Sequence, residues 1–287
     1  MMGIRMSDSR PRDSKSEFES FRPRPSGPVD PYALGPAAVA APPLPGEVIA
    51  METADQLIDR LAADMVVHAE NCVRQFGDFH LALSGGSTPQ PLYERLMYDP
   101  NCRRLPWRRT HLWMVDERCV PFDDPASNFR AIDETIVDHA DIPREQVHPI
   151  FATSETADVQ YEKELRETLA WREKGQDRLD FVLLGMGADG HTASLFPHSE
   201  ALDEHQRLVR FNSATPGIMP ARRVTLTYPI LNSARFVAVM VTGKSKAAML
   251  KRVAEDRGAE VADLPIKGVD PTSGELRWYL DGEACGA

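Results

Sequence analysis

From residue 53 onward the chain alternates between two apolar rhythms. Leu57, Leu61, Met65, Ala69, Val73 and Phe76 recur at intervals of three or four residues, which predicts an amphipathic helix over 53–76. The apolar run 79–84 is too short for a helix and closes on two glycines, so it reads as a strand, and 89–98 reads as the helix that follows. The succession repeats: strand 111–115 and helix 128–139, then helix 157–173 and strand 179–184. Strands 223–227 and 236–241 come next, the second leading into a helix over 245–254. Apolar strands without polar interruption, alternating with helices, predict a parallel sheet buried on both faces. The expected fold is therefore a single α/β domain over residues 47–287, with a mostly parallel, Rossmann-like sheet and helices on both faces. No internal repeat and no second linker interrupts it. Ligands of such sheets bind where loops gather at the carboxyl ends of the strands.

Residues 1–46 differ from the rest. Nine of the 23 prolines fall in the first 50 residues, with many Ser and Arg and few large apolar side chains. That composition buries too little surface to offset its ordering entropy and predicts a disordered arm. Either a docking tail or an unstructured extension before an internal start at Met6 fits it. A net charge of −10 and a pI near 5.3 exclude a general nucleic-acid binder, which would carry a basic stripe. Anion binding then has to come from a few placed cations and backbone N–H groups. No apolar run approaches the ~20 residues needed to span a bilayer, and the arginine-bearing N-terminus shows no apolar core followed by a small-residue cleavage site, so a secretory leader is not expected. Four cysteines without a paired spacing suit a reduced, cytoplasmic protein.

Four loops at expected strand ends carry the candidate chemistry. Ser84-Gly85-Gly86-Ser87-Thr88-Pro89 opens a helix, so a tight turn with a Ser/Thr N-cap and an anion site both fit it. It lacks the lysine-containing pattern of a nucleoside-triphosphate loop. Asp116-Glu117-Arg118 places two acids and an arginine beyond strand 111–115; it is either a self-paired surface cluster or a site for bidentate phosphate contact. Gly185-Met186-Gly187-Ala188-Asp189-Gly190-His191 formally matches a dinucleotide fingerprint. Pro197 cuts the segment before a long helix can form, however, and no acid-terminated strand follows. His191 sits on this loop and has the chemistry to take a proton from water and return it. No metal-ligand spacing accompanies it. Gly243-Lys244-Ser245-Lys246 puts Lys246 at a helix start, where a cation is disfavoured unless an anion lies beside it.

Taken in order, these loops resemble the 6-phosphogluconolactonase family, within the wider group that includes glucosamine-6-phosphate deaminase/isomerase. The likeness runs from Leu83-Ser84-Gly85-Gly86-Ser87-Thr88-Pro89 through Asp116-Glu117-Arg118-Cys119-Val120-Pro121 and Ser127-Asn128-Phe129-Arg130. It continues through Gly185–Pro197, Arg223-Val224-Thr225-Leu226-Thr227, Gly243 with Lys246, and the tail 274–281. The resemblance implies hydrolysis of a phosphorylated sugar lactone in the pentose phosphate pathway, with no metal or organic cofactor and no obligatory protein partner. It implies a phosphate near Ser84, Gly85, Gly86, Arg118, Arg223 and Lys246, with His191 as base. It implies that Asp116 and Asp189 lie close to the sugar or support the base. Arg222 beside Arg223, and Glu117 beside Asp116, compete for two of these roles. Two other readings stand: an isomerase/deaminase acting on glucosamine 6-phosphate, and a catalytically silent sugar-phosphate sensor. Relatives with deaminase chemistry carry an acid where this chain has Phe196 and lack an arginine at the position of Arg118.

Overall fold

The computed structural model describes residues 39–286. The arm expected over 1–46 lies, up to residue 38, outside the described residues. By Leu44 the chain is already packed against the core, and Pro45 O accepts a hydrogen bond from Trp278 Nε1 at 2.9 Å.

In chain order the elements are β1 (Glu47–Met51), α1 (Ala54–Phe76), β2 (Phe79–Leu83), α2 (Gln90–Tyr98), β3 (Thr110–Met114) and β4 (Asp116–Arg118). Then follow α3 (Asn128–Ile132), β5 (Val147–His148), α4 (Ala157–Leu169), β6 (Phe181–Gly185), β7 (Val209–Ser213) and β8 (Arg222–Leu226). The chain closes with α5 (Tyr228–Leu231), β9 (Phe236–Val241), α6 (Ala247–Glu255) and β10 (Glu275–Asp281). Seven strands form one sheet in the order β1-β10-β9-β6-β2-β3-β5, and every neighbouring pair is parallel. Every residue of β2 and β9 is buried, as suits a sheet covered on both faces; β9 is apolar throughout, and β2 is apolar apart from His80.

Helix α1 shows how local sequence sets these elements. Thr53 and Gln56 close a capping box at its start, and Gly77 ends it in the left-handed conformation at φ 92°. Its stripe of Leu57, Leu61, Met65 and Ala69 is fully buried, and the helix packs on β1, β2 and β10. Truncating Leu61 to Ala would cost ~2–5 kcal/mol.

From β2 the chain builds outward through β3 to β5; it then returns to the other side of β2 as β6 and builds outward again. The loops leaving β2 and β6 therefore diverge, and the crevice between them is the topological switch point where a ligand fits.

Three expectations are corrected. Residues 223–227 do not extend the parallel sheet: β8 is the centre of a separate antiparallel sheet, β4-β8-β7. Val115 joins the two sheets, its N–H bonding Leu83 O at 3.0 Å and its carbonyl accepting from Leu226 N at 2.9 Å. Helix α4 stops at Leu169, short of residue 173, because Arg172 turns inward to Asp78 and Asp180 and Gly175 takes a positive φ of 87°. The helix expected over 128–139 passes after Ile132 into a π-helical turn, Asp133–Val137.

Candidate active site

The loops after β2, β6 and β9 converge with β4 and β8 on a cavity of about 610 Å³, within the ~300–1,000 Å³ usual for small-molecule sites. All nine residues singled out from the sequence line it: Ser84, Gly85, Gly86, Asp116, Arg118, Asp189, His191, Arg223 and Lys246.

One wall is cationic. In β4, residues two apart share a face, so Asp116 and Arg118 point into the cavity while Glu117 points away. Across the antiparallel pair, Arg118 lies directly opposite Arg223. Like charges so placed repel. Neither arginine belongs to an ion pair among the described residues, and the Nε of each is buried without a partner. Arg118 Nη1 donates to Ala126 O at 2.6 Å, which fixes the plane of its guanidinium. Burial first, and then the charge of Arg118, hold the Arg223 pKa below its usual value. Lys246 completes the set; burial pulls its pKa down, against the opposing charge of Asp189. Three unpaired cations facing one cavity are an electrostatic cost that an anion relieves.

The structure separates the residues of both neighbouring pairs. Arg222 lies outside, where it pairs with Glu155 at 2.7 Å and covers the Phe211 ring, whereas Arg223 is 4% exposed. Glu117 is wholly buried away from the cavity.

Gly85 and Gly86 line the same cavity. Gly86 has a φ of 94°, and a Cβ on Gly85 would run into the side chain of Asn128. The expected Ser/Thr cap of α2 is not formed. Pro89 takes the cap position without a side-chain bond, so capping leaves the loop hydroxyls unspent. Ser84 has a narrower part than expected: its hydroxyl donates to Leu183 O at 2.8 Å, tying β2 to β6 across the switch point.

The β6 loop carries a histidine–carboxylate pair. His191 Nδ1 and its own backbone N–H both reach Asp189 Oδ1, at 2.5 and 3.2 Å. With the Nδ1 proton held by the carboxylate, Nε2 carries the lone pair of a base. Burial pushes the Asp189 pKa up, but the hydrogen bond to His191 and its charge outweigh burial and leave it lowered. Gly187 is required beneath the pair, because a Cβ there would strike both the ring and the carboxylate. The buried Phe196 ring stacks obliquely on His191, centroids 4.5 Å apart. After this loop the chain makes a turn and a single bridge, Thr192 to Leu195, and no helix, so the dinucleotide pattern has no structural counterpart.

Sequence reasoning gave no role to Ser194, whose hydroxyl donates to Asp116 Oδ2 at 2.6 Å. It also passed over Asn128, whose amide donates to Asp116 O at 2.9 Å, and the β7–β8 hairpin tip that brings Thr215, Ile218 and Met219 to the rim. Strand alternation was the one available signal, since it orients Asp116 and Arg118 once 116–118 is taken as a strand.

Asp78, His80 and His111 could present metal ligands within 4.8 Å of one another, at the start of β2 and β3 and away from this cavity. Their hydrogen bonds do not suit a metal. Trp113 Nε1 donates to His80 Nδ1 at 3.1 Å, so neutral His80 carries its proton on Nε2, the atom facing the cluster. Asp78 is already held by Arg172.

Fold and site together define an α/β protein whose switch-point cavity gathers Arg118, Arg223 and Lys246 with a histidine hydrogen-bonded to a carboxylate. The chain belongs to the family described as glucosamine-6-phosphate isomerases/6-phosphogluconolactonase, whose model matches residues 52–278. It is 42% identical over 239 residues to the human GDH/6PGL endoplasmic bifunctional protein, an alignment covering 80% of this chain but 29% of that protein. It is 37% identical over 241 residues to a 6-phosphogluconolactonase of Nostoc sp., covering 83% of this chain and 95% of the relative. Among solved structures, the 6-phosphogluconolactonase of Thermotoga maritima superposes with a TM-score of 0.69 at 31% identity, covering 82% of this chain and 99% of that one. No helix among the described residues is long and apolar enough to cross a membrane.

Proposed function

We propose that the chain hydrolyses 6-phospho-D-glucono-1,5-lactone to 6-phospho-D-gluconate in the pentose phosphate pathway. The observation that carries this reading is the pair Arg118 and Arg223, opposite each other and without a carboxylate partner, across the cavity from the His191–Asp189 pair. A phosphate on the arginines and Lys246 gives remote binding energy that orients the lactone. Neutral His191 takes a proton from water at Nε2 as the water oxygen attacks the C1 carbonyl. Loop N–H groups stabilise the oxyanion. The C1–ring oxygen bond then breaks, and the imidazolium returns its proton to the departing oxygen. Asp189 holds the imidazole in the required tautomer, and Asp116, fixed by Ser194, accepts from sugar hydroxyls. No step calls for a metal, a cofactor, a nucleic acid or an obligatory protein partner. Free thiols at Cys72, Cys119 and Cys285 suit a reducing, cytoplasmic setting.

Deaminase chemistry within the same family is the second reading. Against it, the position of the deaminase acid is filled by Phe196, an apolar ring packed on His191, and Arg118 faces the cavity. The test is acid release from freshly prepared 6-phosphogluconolactone, corrected for spontaneous hydrolysis, with glucosamine 6-phosphate assayed in parallel for ammonia. Enzyme-dependent acid release without ammonia supports the lactonase. Ammonia without acid release would mean a deaminase, and tight binding of the lactone without turnover would mean a sensor.

A further inference from the structure

Glu117 plays no part in the chemistry above, yet it is completely buried at the edge of the site. Its carboxylate accepts four hydrogen bonds. Oε1 takes the backbone N–H of Arg118 at 2.8 Å and of Asn128 at 2.7 Å; Oε2 takes that of Phe129 at 2.7 Å and the Ser127 hydroxyl at 3.1 Å. No cation pairs with it among the described residues; donors from the first turn of α3 and from β4 hold the charge. These donors bracket the segment 119–127. At one end is Arg118 itself; at the other are Ser127 and Asn128. Inside the bracket lies Ala126, whose carbonyl fixes the Arg118 guanidinium. Beyond it, Asn128 bonds Asp116 O and packs against Gly85 of the β2 loop.

We propose that Glu117 is a positioning residue for phosphate recognition: it clasps both ends of the 119–127 loop and so sets the aim of Arg118 and the placement of Asn128 against Gly85. The proposal rests on the reading of Arg118 as a phosphate ligand. Strand alternation supplies the logic of the Asp-Glu-Arg triplet: the outer two residues face the substrate and the middle one holds them from behind. A carboxylate suits the task because all four partners donate. A glutamine would turn an N–H₂ toward one pair of donors and leave at least one backbone N–H facing another donor. Loosening a phosphate ligand by a fraction of an ångström weakens ground-state anchoring while the His191–Asp189 pair, on a different loop, stays in place.

The experiment compares wild type, Glu117→Gln, Ser127→Ala, Arg118→Ala and Glu117→Gln/Arg118→Ala. It measures kcat and KM for 6-phosphogluconolactone and the inhibition constant of inorganic phosphate. In Glu117→Gln, KM and the phosphate inhibition constant should both rise about tenfold, with kcat within about twofold. Ser127→Ala, which removes one of the four donors, should move both constants the same way by about two- to threefold. In the Arg118→Ala background, Glu117→Gln should add nothing further, because it acts through that arginine. A fall in kcat at unchanged KM, or additive effects in the double variant, would make Glu117 a purely structural group and overturn the proposal. An Arg118→Ala variant with unaltered phosphate inhibition would overturn the reading of Arg118, and with it this inference; that outcome is read on Arg118 alone. If Glu117→Gln does not fold, Ser127→Ala with and without Arg118→Ala decides by the same criteria.

Discussion

The two rims of the parallel sheet treat buried cations in opposite ways. At the amino-terminal rim, Arg172 and Arg235 are neutralised: Asp180, 1% exposed, takes Arg172 at 2.7 and 2.8 Å and Arg235 at 2.9 Å, and Asp78 also binds Arg172. Both arginines in addition lie over the Phe76 ring. At the carboxyl-terminal rim, Arg118 and Arg223 face each other with no acid between them, and Lys246 completes the set. The first arrangement is complete in itself and braces the fold. The second leaves its cations without a carboxylate partner among the described residues, so the same residue type is neutralised at one end of the sheet and left unpaired at the other. Fold alone would not separate them; the distinction lies in the partners.

The largest effect should fall on the carboxyl-terminal rim. His191→Ala should lower kcat by ~10²–10⁴ while leaving KM and the melting temperature nearly unchanged. At the other rim, Asp180→Ala should leave Arg235 without a carboxylate and Arg172 with Asp78 alone, and destabilise the fold by up to ~3 kcal/mol. That is read as a fall in melting temperature, with kcat of the folded fraction close to wild type. Equal loss of turnover in both variants would erase the difference between the rims. Arg223→Ala should raise KM by roughly 10–100-fold, the worth of a charge-assisted hydrogen bond of about 1.5–3 kcal/mol, with a smaller change in kcat.

Acid should act on the amino-terminal rim. Burial depresses the pKa of His80, and that of His111 falls to about 3. Both titrate near 6.5 when unfolded, so the folded state favours their neutral forms. Their contribution is complete above pH 6.5 and is lost as pH falls from 6.5 toward about 3. The slope is at most ~1.4 kcal/mol per pH unit for each group, and less for the partly exposed His111. Asp78, whose pKa is held low, has the same sign in acid. Melting temperatures measured between pH 7.5 and 5 should fall with acidification, and a flat profile would contradict this. The smallest effect belongs to Arg222→Ala, which removes a surface pair beside Arg223; kcat and KM should stay within about twofold of wild type.

Much of this was legible in the residues. Strand 236–241 is an unbroken apolar run, and 179–184 is one apart from Asp180, because they lie inside a sheet covered on both faces. The second sheet was not legible. Asp116–Arg118 and Val209–Ser213 are short and polar, alternate against a half-solvated neighbour, and carry charged residues that read equally well as loop. The end of α4 was also hidden, since helix propensity continues through Arg172 and Glu173 while the tertiary pull of Asp180 on Arg172 is invisible in one dimension. Within the site, loop position picked out residues that line one cavity but not their orientation. Arg222 and Arg223 are indistinguishable as letters; only the register of β8 against β4 sends one inward and the other into solvent. Ser194 stayed unnoticed because its role, fixing Asp116 from 78 positions away in the chain, depends on the two sheets meeting.

The most direct test of the unpaired carboxyl-terminal rim is the melting temperature in increasing inorganic phosphate, for wild type and for Arg118→Ala/Arg223→Ala. A ligand that binds only the folded state at 100 times its Kd stabilises by about 2.7 kcal/mol. The account predicts that phosphate raises the melting temperature of the wild type and leaves that of the double variant unmoved. Equal stabilisation of both proteins would contradict it, because the anion would then be held somewhere other than between the two arginines.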